Sequence, residues 1–195
     1  MKPTLFISSA FLTLAATPAF AHTGHTEASS LISGLMHPVI GFDHVLAMIA
    51  VGILATQMRG KSRAVLPAIF IAMMVAGAAL ASSAFAISFV EQGILGSVII
   101  LGAVIARGDR LPTSISASLV GFFGLFHGAA HFVEMPATAT TMTYGAGFLV
   151  ASLALIAGGS VLGFAAPKLF GKVAPTTVRL AGAAVAFAGL GLAIA

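Results

Sequence analysis

The sequence predicts an all-α membrane protein, a six-helix transmembrane bundle that follows a cleaved signal peptide. Hydrophobic residues make up 59% of the 195 residues, whereas charged residues make up only 7%. Apolar runs of about 20 residues, long enough to cross ~30 Å of hydrocarbon, recur between small groups of basic residues. The runs lack the alternating pattern of barrel strands, so helices must satisfy the backbone in lipid.

The first 21 residues are typical of a secretory signal peptide. Lys2 supplies the positive charge, residues 5–16 form a short apolar core, and Ala19-Phe20-Ala21 is a small-x-small cleavage site. The predicted organisation is a signal peptide at 1–21, a histidine-containing periplasmic tail at 22–32 and a six-span transmembrane domain at 33–195. An uncleaved membrane helix is the alternative, and it would leave the orientation of the remaining helices unchanged.

Three groups of basic residues divide the apolar sequence and set its orientation. They are Arg59, Lys61 and Arg63; Arg107 and Arg110; and Lys168, Lys172 and Arg179. The stretches around them predict helices at approximately 33–57, 64–87, 90–107, 111–133, 141–165 and 176–194. With the basic groups in the cytoplasm, the positive-inside rule places both termini in the periplasm of a bacterial inner-membrane protein. Three helices in each half then have opposite orientations, as in an inverted-repeat transporter.

The composition also limits packing and partners. Gly124-x-x-x-Gly128 and Gly159-x-x-x-Gly163 favour close contact between membrane helices. The lipid bilayer is the expected environment, and the sequence is compatible with a homo-oligomer. The absence of a basic stripe with interleaved aromatic residues excludes nucleic acid as the expected partner. Because cysteine is absent, a metal would have to be bound by imidazole, carboxylate, carbonyl or thioether groups.

All six histidines lie in three short clusters, and each cluster contains an acidic residue. The clusters comprise His22, His25 and Glu27; His37, Asp43 and His44; and His127, His131 and Glu134. The second and third clusters lie within predicted membrane helices, where ionisable side chains are costly and usually functional. These two clusters therefore predict a site for a charged ligand.

On a continuous first helix, His37 and His44 would lie about 20° apart and share a face. Asp43 would border this face and Met48 would extend it, as an accessory residue. Pro38 fits the first turn of such a helix, where the missing N–H costs nothing. Counting along the helix at 1.5 Å per residue places His44 about 16 Å deep, near the middle of the bilayer.

On the fourth helix, His127, His131 and Glu134 form one stripe, with the two imidazoles about 6 Å apart along the axis. The predicted orientation places this stripe and the first-helix cluster in the outer half of the membrane. Glu91, in the turn between the second and third helices, lies on the same side as an accessory group. His22 and His25 in the tail are candidates for metal capture.

Imidazole and carboxylate ligands suit Ni²⁺, Co²⁺, Zn²⁺ or Cu²⁺, and the residues alone do not select among them. A transport site for a divalent ion is the favoured interpretation, with no prosthetic group and no enzymatic activity. Two alternatives are an intramembrane metalloenzyme, which would need a water-activating base beside an open coordination position, and a haem protein.

Two motifs resemble the signature of the HupE/UreJ family of nickel/cobalt permeases. They are His-Pro-x-x-Gly-x-Asp-His-x-x-x-Met at 37–48 and Phe-His-Gly-x-Ala-His-x-x-Glu-x-Pro at 126–136. The resemblance implies that Ni²⁺ or Co²⁺ is imported for hydrogenase or urease assembly. It also implies the metal ligands, which are His37, Asp43, His44, His127, His131 and Glu134. Phe132 departs from the small residue expected there, and we expect it to narrow the outer opening or alter metal preference.

Overall fold

The computed structural model describes residues 26–83 and 87–194, with side chains from residue 29 onward. Within these ranges every regular element is helical. The helices are α1 (Thr26–Ile40), α2 (Phe42–Gln57), α3 (Ser62–Ala81), α4 (Val90–Arg107), α5 (Thr113–Val133), α6 (Thr141–Phe170) and α7 (Ala174–Ala193), with a 3₁₀ turn at Gly171–Val173. The predicted signal peptide, His22 and His25 lie outside the described residues.

The first predicted span is two helices rather than one. It begins at Thr26 instead of residue 33, and it breaks at Gly41, where α1 and α2 meet at a bend of 78°. Pro38 has no N–H for the carbonyl of Gly34, and its ring crowds that carbonyl, so the helix is weakened just before the break. Gly41 then adopts an extended conformation with ψ 106°.

This break corrects two predictions. Pro38 lies near the end of α1, not in the first turn of a helix. The depth of His44 was counted along one straight helix, and that count is wrong because α1 and α2 follow different directions. His44 instead occupies the first turns of α2, close to the bend.

The helices alternate in direction, which gives the bundle two distinct ends. α2 and α4 both begin beside a cavity lined by Asp43 and Glu91, and both end beside a second cavity lined by Gln57 and Gly108. α3 and α5 run the opposite way, since their starts meet through a hydrogen bond between Thr113 and Ser62 of 3.1 Å. We call the two ends the histidine end and the arginine end.

The chain reverses once more between α6 and α7. Gly182 of α7 packs against Ala106 near the end of α4, whereas Gly189 packs against Ile99, nearer the start of α4. α7 is therefore antiparallel to α4. The turn itself uses Gly171, whose φ of 52° favours glycine.

Four helical stretches are long and apolar enough to cross a membrane, or five if the bent pair is counted as one. The last of them, Thr141–Ala193, contains 53 residues and includes both α6 and α7. Since α7 runs back along α4, this stretch is not one straight span. The chain is thus an α-helical membrane protein, and the number of six crossings stays a prediction.

Glycines allow the closest helix contacts, as the small-residue motifs predict. A side chain at Gly128 would collide with the backbone of Met74 on α3, and one at Gly159 would collide with the backbone of Ile49 on α2. These contacts confirm that both motifs lie at helix interfaces. α2 lies at the centre of the bundle, because Val51 and Leu54 are buried together with residues of the surrounding helices.

Candidate metal centre

Four histidines from three helices converge near the histidine end. The ring centroids of His44 and His131 are 4.6 Å apart, those of His37 and His131 are 4.7 Å apart, and those of His44 and His127 are 5.1 Å apart. α1 supplies His37, α2 supplies His44, and α5 supplies the other two. The bend at Gly41, rather than a shared helical face, brings His37 and His44 to a centroid distance of 6.1 Å.

Three of these residues form a compact group that we call the histidine triad: His37, His44 and His131. One ring nitrogen from each lies within 4.8 Å of the other two. Nitrogens that bind one ion at ~2.1 Å are roughly 3.0 to 3.4 Å apart. Small side-chain movements would therefore bring all three onto a single ion.

The hydrogen bonds of His44 and His127 leave one unprotonated ring nitrogen in each residue, and it faces the cluster. His44 Nδ1 donates to Asp43 Oδ1 at 2.8 Å, and His127 Nδ1 donates to the carbonyl oxygen of Phe123 at 3.0 Å. Since these oxygens can only accept, each Nδ1 carries the proton and each Nε2 keeps its lone pair. Both Nε2 atoms are buried, and neither has a hydrogen-bond partner among the described residues. Metal-binding histidines commonly have this arrangement.

The Asp43 side chain is held in place by other contacts besides its hydrogen bond with the His44 ring. Its Oδ1 also accepts a hydrogen bond from the backbone N–H of His44 at 2.8 Å. A Cβ at Gly41 would lie 3.0 Å from His44 Nδ1 and 3.2 Å from Asp43 Oδ1. Glycine at position 41 therefore leaves room for the Asp43–His44 pair.

His37 and Glu134 connect α1 to the end of α5. His37 Nε2 lies 2.9 Å from Glu134 Oε2, and the Glu134 side chain remains 39% exposed. Glu134 therefore contacts a histidine of the triad, and it is also accessible to solvent.

A cavity of about 260 Å³ opens above these groups, and we call it the histidine-end cavity. Its ionisable lining residues are His37, Asp43, His44, Glu91 and Glu134. Since one water takes up about 30 Å³ of liquid volume, the cavity can admit a hydrated divalent ion. Its three carboxylates would attract a cation and its imidazoles could replace part of the hydration shell.

The buried nitrogens are costly unless something satisfies them. His127 and His131 are 0% and 2% exposed, and no group of residues 26–83 and 87–194 forms a hydrogen bond with His127 Nε2 or with either nitrogen of His131. Each buried polar atom without a partner costs roughly 1–3 kcal/mol. Several such atoms facing one another fit a site that an ion occupies.

Other predicted residues lie nearby without joining the cluster. Met48 is fully buried in the core with Phe70 and Met74. Its accessory role stays a prediction. Phe132 does not line the histidine-end cavity, so the expectation that it narrows this opening is wrong. It lines a separate cavity of about 50 Å³ beside His131.

The sequence pattern did not identify three aromatic neighbours of the cluster. The ring of Phe148 lies against that of His131, tilted by 41° with centroids 3.5 Å apart, and the ring of Phe70 lies 5.3 Å from that of His127. Tyr144 lies 5.9 Å from His37. The two phenylalanines resemble any other apolar core residue, but Tyr144 is the only tyrosine of the chain, and this could have marked it.

The apolar helices and the buried imidazoles define a class, the multi-helix membrane proteins with a candidate metal site within the bundle. The family model described as HupE / UreJ protein matches residues 10–192. The chain therefore belongs to the HupE/UreJ family, and the resemblance is confirmed.

A curated relative supports this assignment. The chain is 39% identical over 177 residues to Protein HupE of Rhizobium leguminosarum bv. viciae, and the alignment covers 90% of each chain. No solved structure matches the chain significantly. The family consists of membrane proteins related to nickel and cobalt transport rather than enzymes, which confirms that the chain is not an enzyme.

Proposed function

We propose that this protein is a secondary permease that imports Ni²⁺, or alternatively Co²⁺, across the bacterial inner membrane. The observation that carries the proposal is the convergence of three buried histidines and the half-buried His37 beneath an acidic cavity. Soft thiolate ligands are absent from the chain, and imidazole with carboxylate is a ligand set that borderline divalent ions accept. Membership in the family favours nickel and cobalt over zinc and copper.

The orientation follows from charge. All eight Lys and Arg residues of the described ranges lie in or beside the connections at the arginine end. The positive-inside rule assigns that end to the cytoplasm and the histidine end to the periplasm. Six alternating crossings would then place both ends of the mature chain in the periplasm.

The path begins in the histidine-end cavity, where Glu91, Glu134 and Asp43 attract the ion. The histidine triad replaces water ligands, and His127 receives the ion next, because its free Nε2 lies deeper along α5. A dication moving inward gains about 4.6 kcal/mol per 100 mV of inside-negative potential, which favours accumulation. The imported ion would serve maturation of a nickel hydrogenase or urease.

The two other interpretations have less support. The histidine-end cavity of about 260 Å³ is smaller than the ~300–1,000 Å³ typical of organic ligand pockets. The histidine rings contact one another and leave no slot for a porphyrin between them. A metalloenzyme conflicts with membership in a family of transport and accessory proteins.

Uptake of radiolabelled Ni²⁺ by cells that express the chain tests the proposal. We expect His44→Ala to reduce uptake to background, because His44 contacts both His131 and His127. Phe122→Leu is the matched control, since Phe122 lies on α5 with 54% exposure and away from the cluster. Equal uptake by His44→Ala and the wild type would sink the proposed path, and competition with Co²⁺ would identify the preferred ion.

The N-terminal assignment is part of the same proposal. Residues 1–21 would be removed, and the mature chain would begin at His22, with His22 and His25 available to capture metal. N-terminal sequencing of the purified protein tests this directly. A mature chain that retains Met1 would show that the segment is an uncleaved helix.

A further inference from the structure

Two arginines line a cavity of about 380 Å³ at the arginine end, which we call the arginine-end cavity. They are Arg110, in the connection after α4, and Arg179, in the second turn of α7. No carboxylate lies among the lining residues. Of the carboxylates whose side chains the structure describes, only Asp109 lies at this end, and it pairs with Arg107 at 2.9 Å. No acidic side chain of the described ranges therefore neutralises the two charges of the cavity.

Both guanidinium groups have donors left for a ligand. Arg179 Nε donates to the carbonyl oxygen of Ala106 at 2.9 Å, and its two terminal nitrogens form no hydrogen bond with another described residue. Arg110 is exposed and has no ion pair within the described part of the chain. Because a guanidinium group binds phosphate oxygens through paired hydrogen bonds, both arginines can hold a phosphate group.

The rest of the cavity wall is largely apolar, which favours a lipid over a soluble anion. Pro167 of α6 and Val178 of α7 line it. Leu169 and Val173, on either side of the lining residue Gly171, are 72% and 60% exposed. α6 packs mainly against α1 and α2, whereas α7 packs mainly against α4, so the crevice between α6 and α7 opens outward. Acyl chains would gain free energy from covering these side chains, and a soluble anion would not.

We propose that the arginine-end cavity binds the headgroup of one anionic phospholipid, whose acyl chains lie along the exposed apolar side chains of α6 and α7. The phosphodiester accepts hydrogen bonds from Arg110 and Arg179. A zwitterionic headgroup is disfavoured, because its ammonium group would face two arginines. The volume lies within the ~300–1,000 Å³ of pockets for small organic ligands, and basic pockets between membrane helices bind anionic headgroups in other proteins.

The bound lipid would not reverse the charge of this end. One phosphodiester carries a single negative charge, and two guanidinium groups face it, so the cavity stays positive. The site does not depend on the proposed transport of Ni²⁺, and it would be the same in a chain that carries another ion.

The experiment measures binding of phosphatidylglycerol to the purified full chain in detergent by native mass spectrometry, with phosphatidylcholine as the comparison lipid. We expect one phosphatidylglycerol per wild-type chain, bound about tenfold or more tightly than phosphatidylcholine. Arg110→Gln removes one guanidinium group and should weaken phosphatidylglycerol binding by about tenfold or more. Arg59→Gln is the matched control and should bind as the wild type does, because Arg59 is exposed at the same end but does not line the cavity.

Thermal unfolding provides a second measurement. Without added lipid, Arg110→Gln should melt within about 2 °C of the wild type, since its side chain is exposed. Phosphatidylglycerol should raise the melting temperature of the wild type and of Arg59→Gln more than that of Arg110→Gln. If Arg110→Gln does not fold, Arg110→Lys replaces it; this variant keeps the charge without the planar fork, so it should bind phosphatidylglycerol more weakly than the wild type does and still prefer it to phosphatidylcholine.

Three outcomes would overturn the inference. They are equal phosphatidylglycerol binding by Arg110→Gln and Arg59→Gln, equal affinity of the wild type or of Arg110→Lys for the two lipids, and stabilisation by inorganic phosphate as large as that by phosphatidylglycerol. The last would identify a site for soluble anions instead. Ni²⁺ uptake is measured separately, so failure of the proposed function would leave each of these outcomes unchanged.

Discussion

The two ends of the bundle contain cavities of similar size and opposite charge. The histidine-end cavity, of about 260 Å³, is lined by Asp43, Glu91 and Glu134 beside two histidines. The cavity at the arginine end, of about 380 Å³, is lined by Arg110 and Arg179, with no histidine or carboxylate among its lining residues. The histidine-end cavity therefore has groups that can attract and ligate a cation, and the lining of the arginine-end cavity does not.

The arginine-end cavity is also a defined structure. Arg179 Nε donates to the carbonyl oxygen of Ala106 at 2.9 Å, and its side chain packs over Gly108. Gly108 has a φ of 74°, which favours glycine at this turn. The positive charge is thus held at the cavity wall. Under the proposed function, an ion that reached this end would meet repulsion and few ligands, which favours its release.

The largest expected effect is a loss of Ni²⁺ uptake without a matching loss of Ni²⁺ affinity at the histidine end. His127→Ala leaves the histidine triad intact, so we expect Ni²⁺ affinity to stay within about tenfold of the wild type while uptake falls to background. His44→Ala should lose both. Calorimetric titration of the purified variants, combined with cellular uptake, measures the two quantities. If His127→Ala loses affinity as completely as His44→Ala does, the centre is a single four-histidine site.

A smaller effect on Ni²⁺ uptake is expected when the arginine-end cavity is given a carboxylate, as the histidine-end cavity has. Arg110→Asp places a carboxylate in the arginine-end cavity, where it would retain a cation, so we expect uptake to fall by roughly threefold to tenfold. Ni²⁺ affinity at the histidine end should not change. Arg107→Asp is the control, because Arg107 pairs with Asp109 at 2.9 Å outside this cavity. Equal loss in both variants would implicate membrane orientation, which a C-terminal reporter fusion checks independently.

The smallest effect on Ni²⁺ uptake is expected from substitutions of Phe132. Because Phe132 lies outside the histidine-end cavity, we expect Phe132→Gly to change Ni²⁺ uptake by no more than about twofold. Phe132→Ala controls for the lower helix propensity of glycine. Initial uptake rates over a range of Ni²⁺ concentrations provide the measurement. A several-fold faster rate in both variants would mean that Phe132 restricts entry after all.

The candidate ligands could be predicted from the sequence because their chemistry conflicts with their surroundings. His127 and Asp43 are ionisable groups in apolar helices, where a structural role rarely compensates for the cost of burial. The alternation of helices could also be predicted, since basic residues separate the apolar runs. Both predictions depend on local composition, which a single sequence contains.

The remaining features depend on tertiary geometry. Pro38 is compatible with a first turn or with a break, and only packing against α6 decides between them. Tyr144 is one aromatic residue in an apolar helix, and nothing in its sequence neighbours indicates that its ring lies 5.9 Å from that of His37. Phe132 replaces the small residue of the family motif between two candidate ligands, but helical rotation turns it toward another cavity.

The bend at Gly41 couples the distance between two candidate ligands to the angle between two helices. His37 lies before the bend and His44 after it, so a change in the angle between α1 and α2 changes the distance between them. Coordination bonds tolerate deviations of only about 0.2 Å. If His37 and His44 bind the same ion, that ion would stiffen the bend, and opening the bend would weaken ion binding by the same free energy. Under the proposed function, ion binding and movement of α1 relative to α2 would thus be coupled at Gly41.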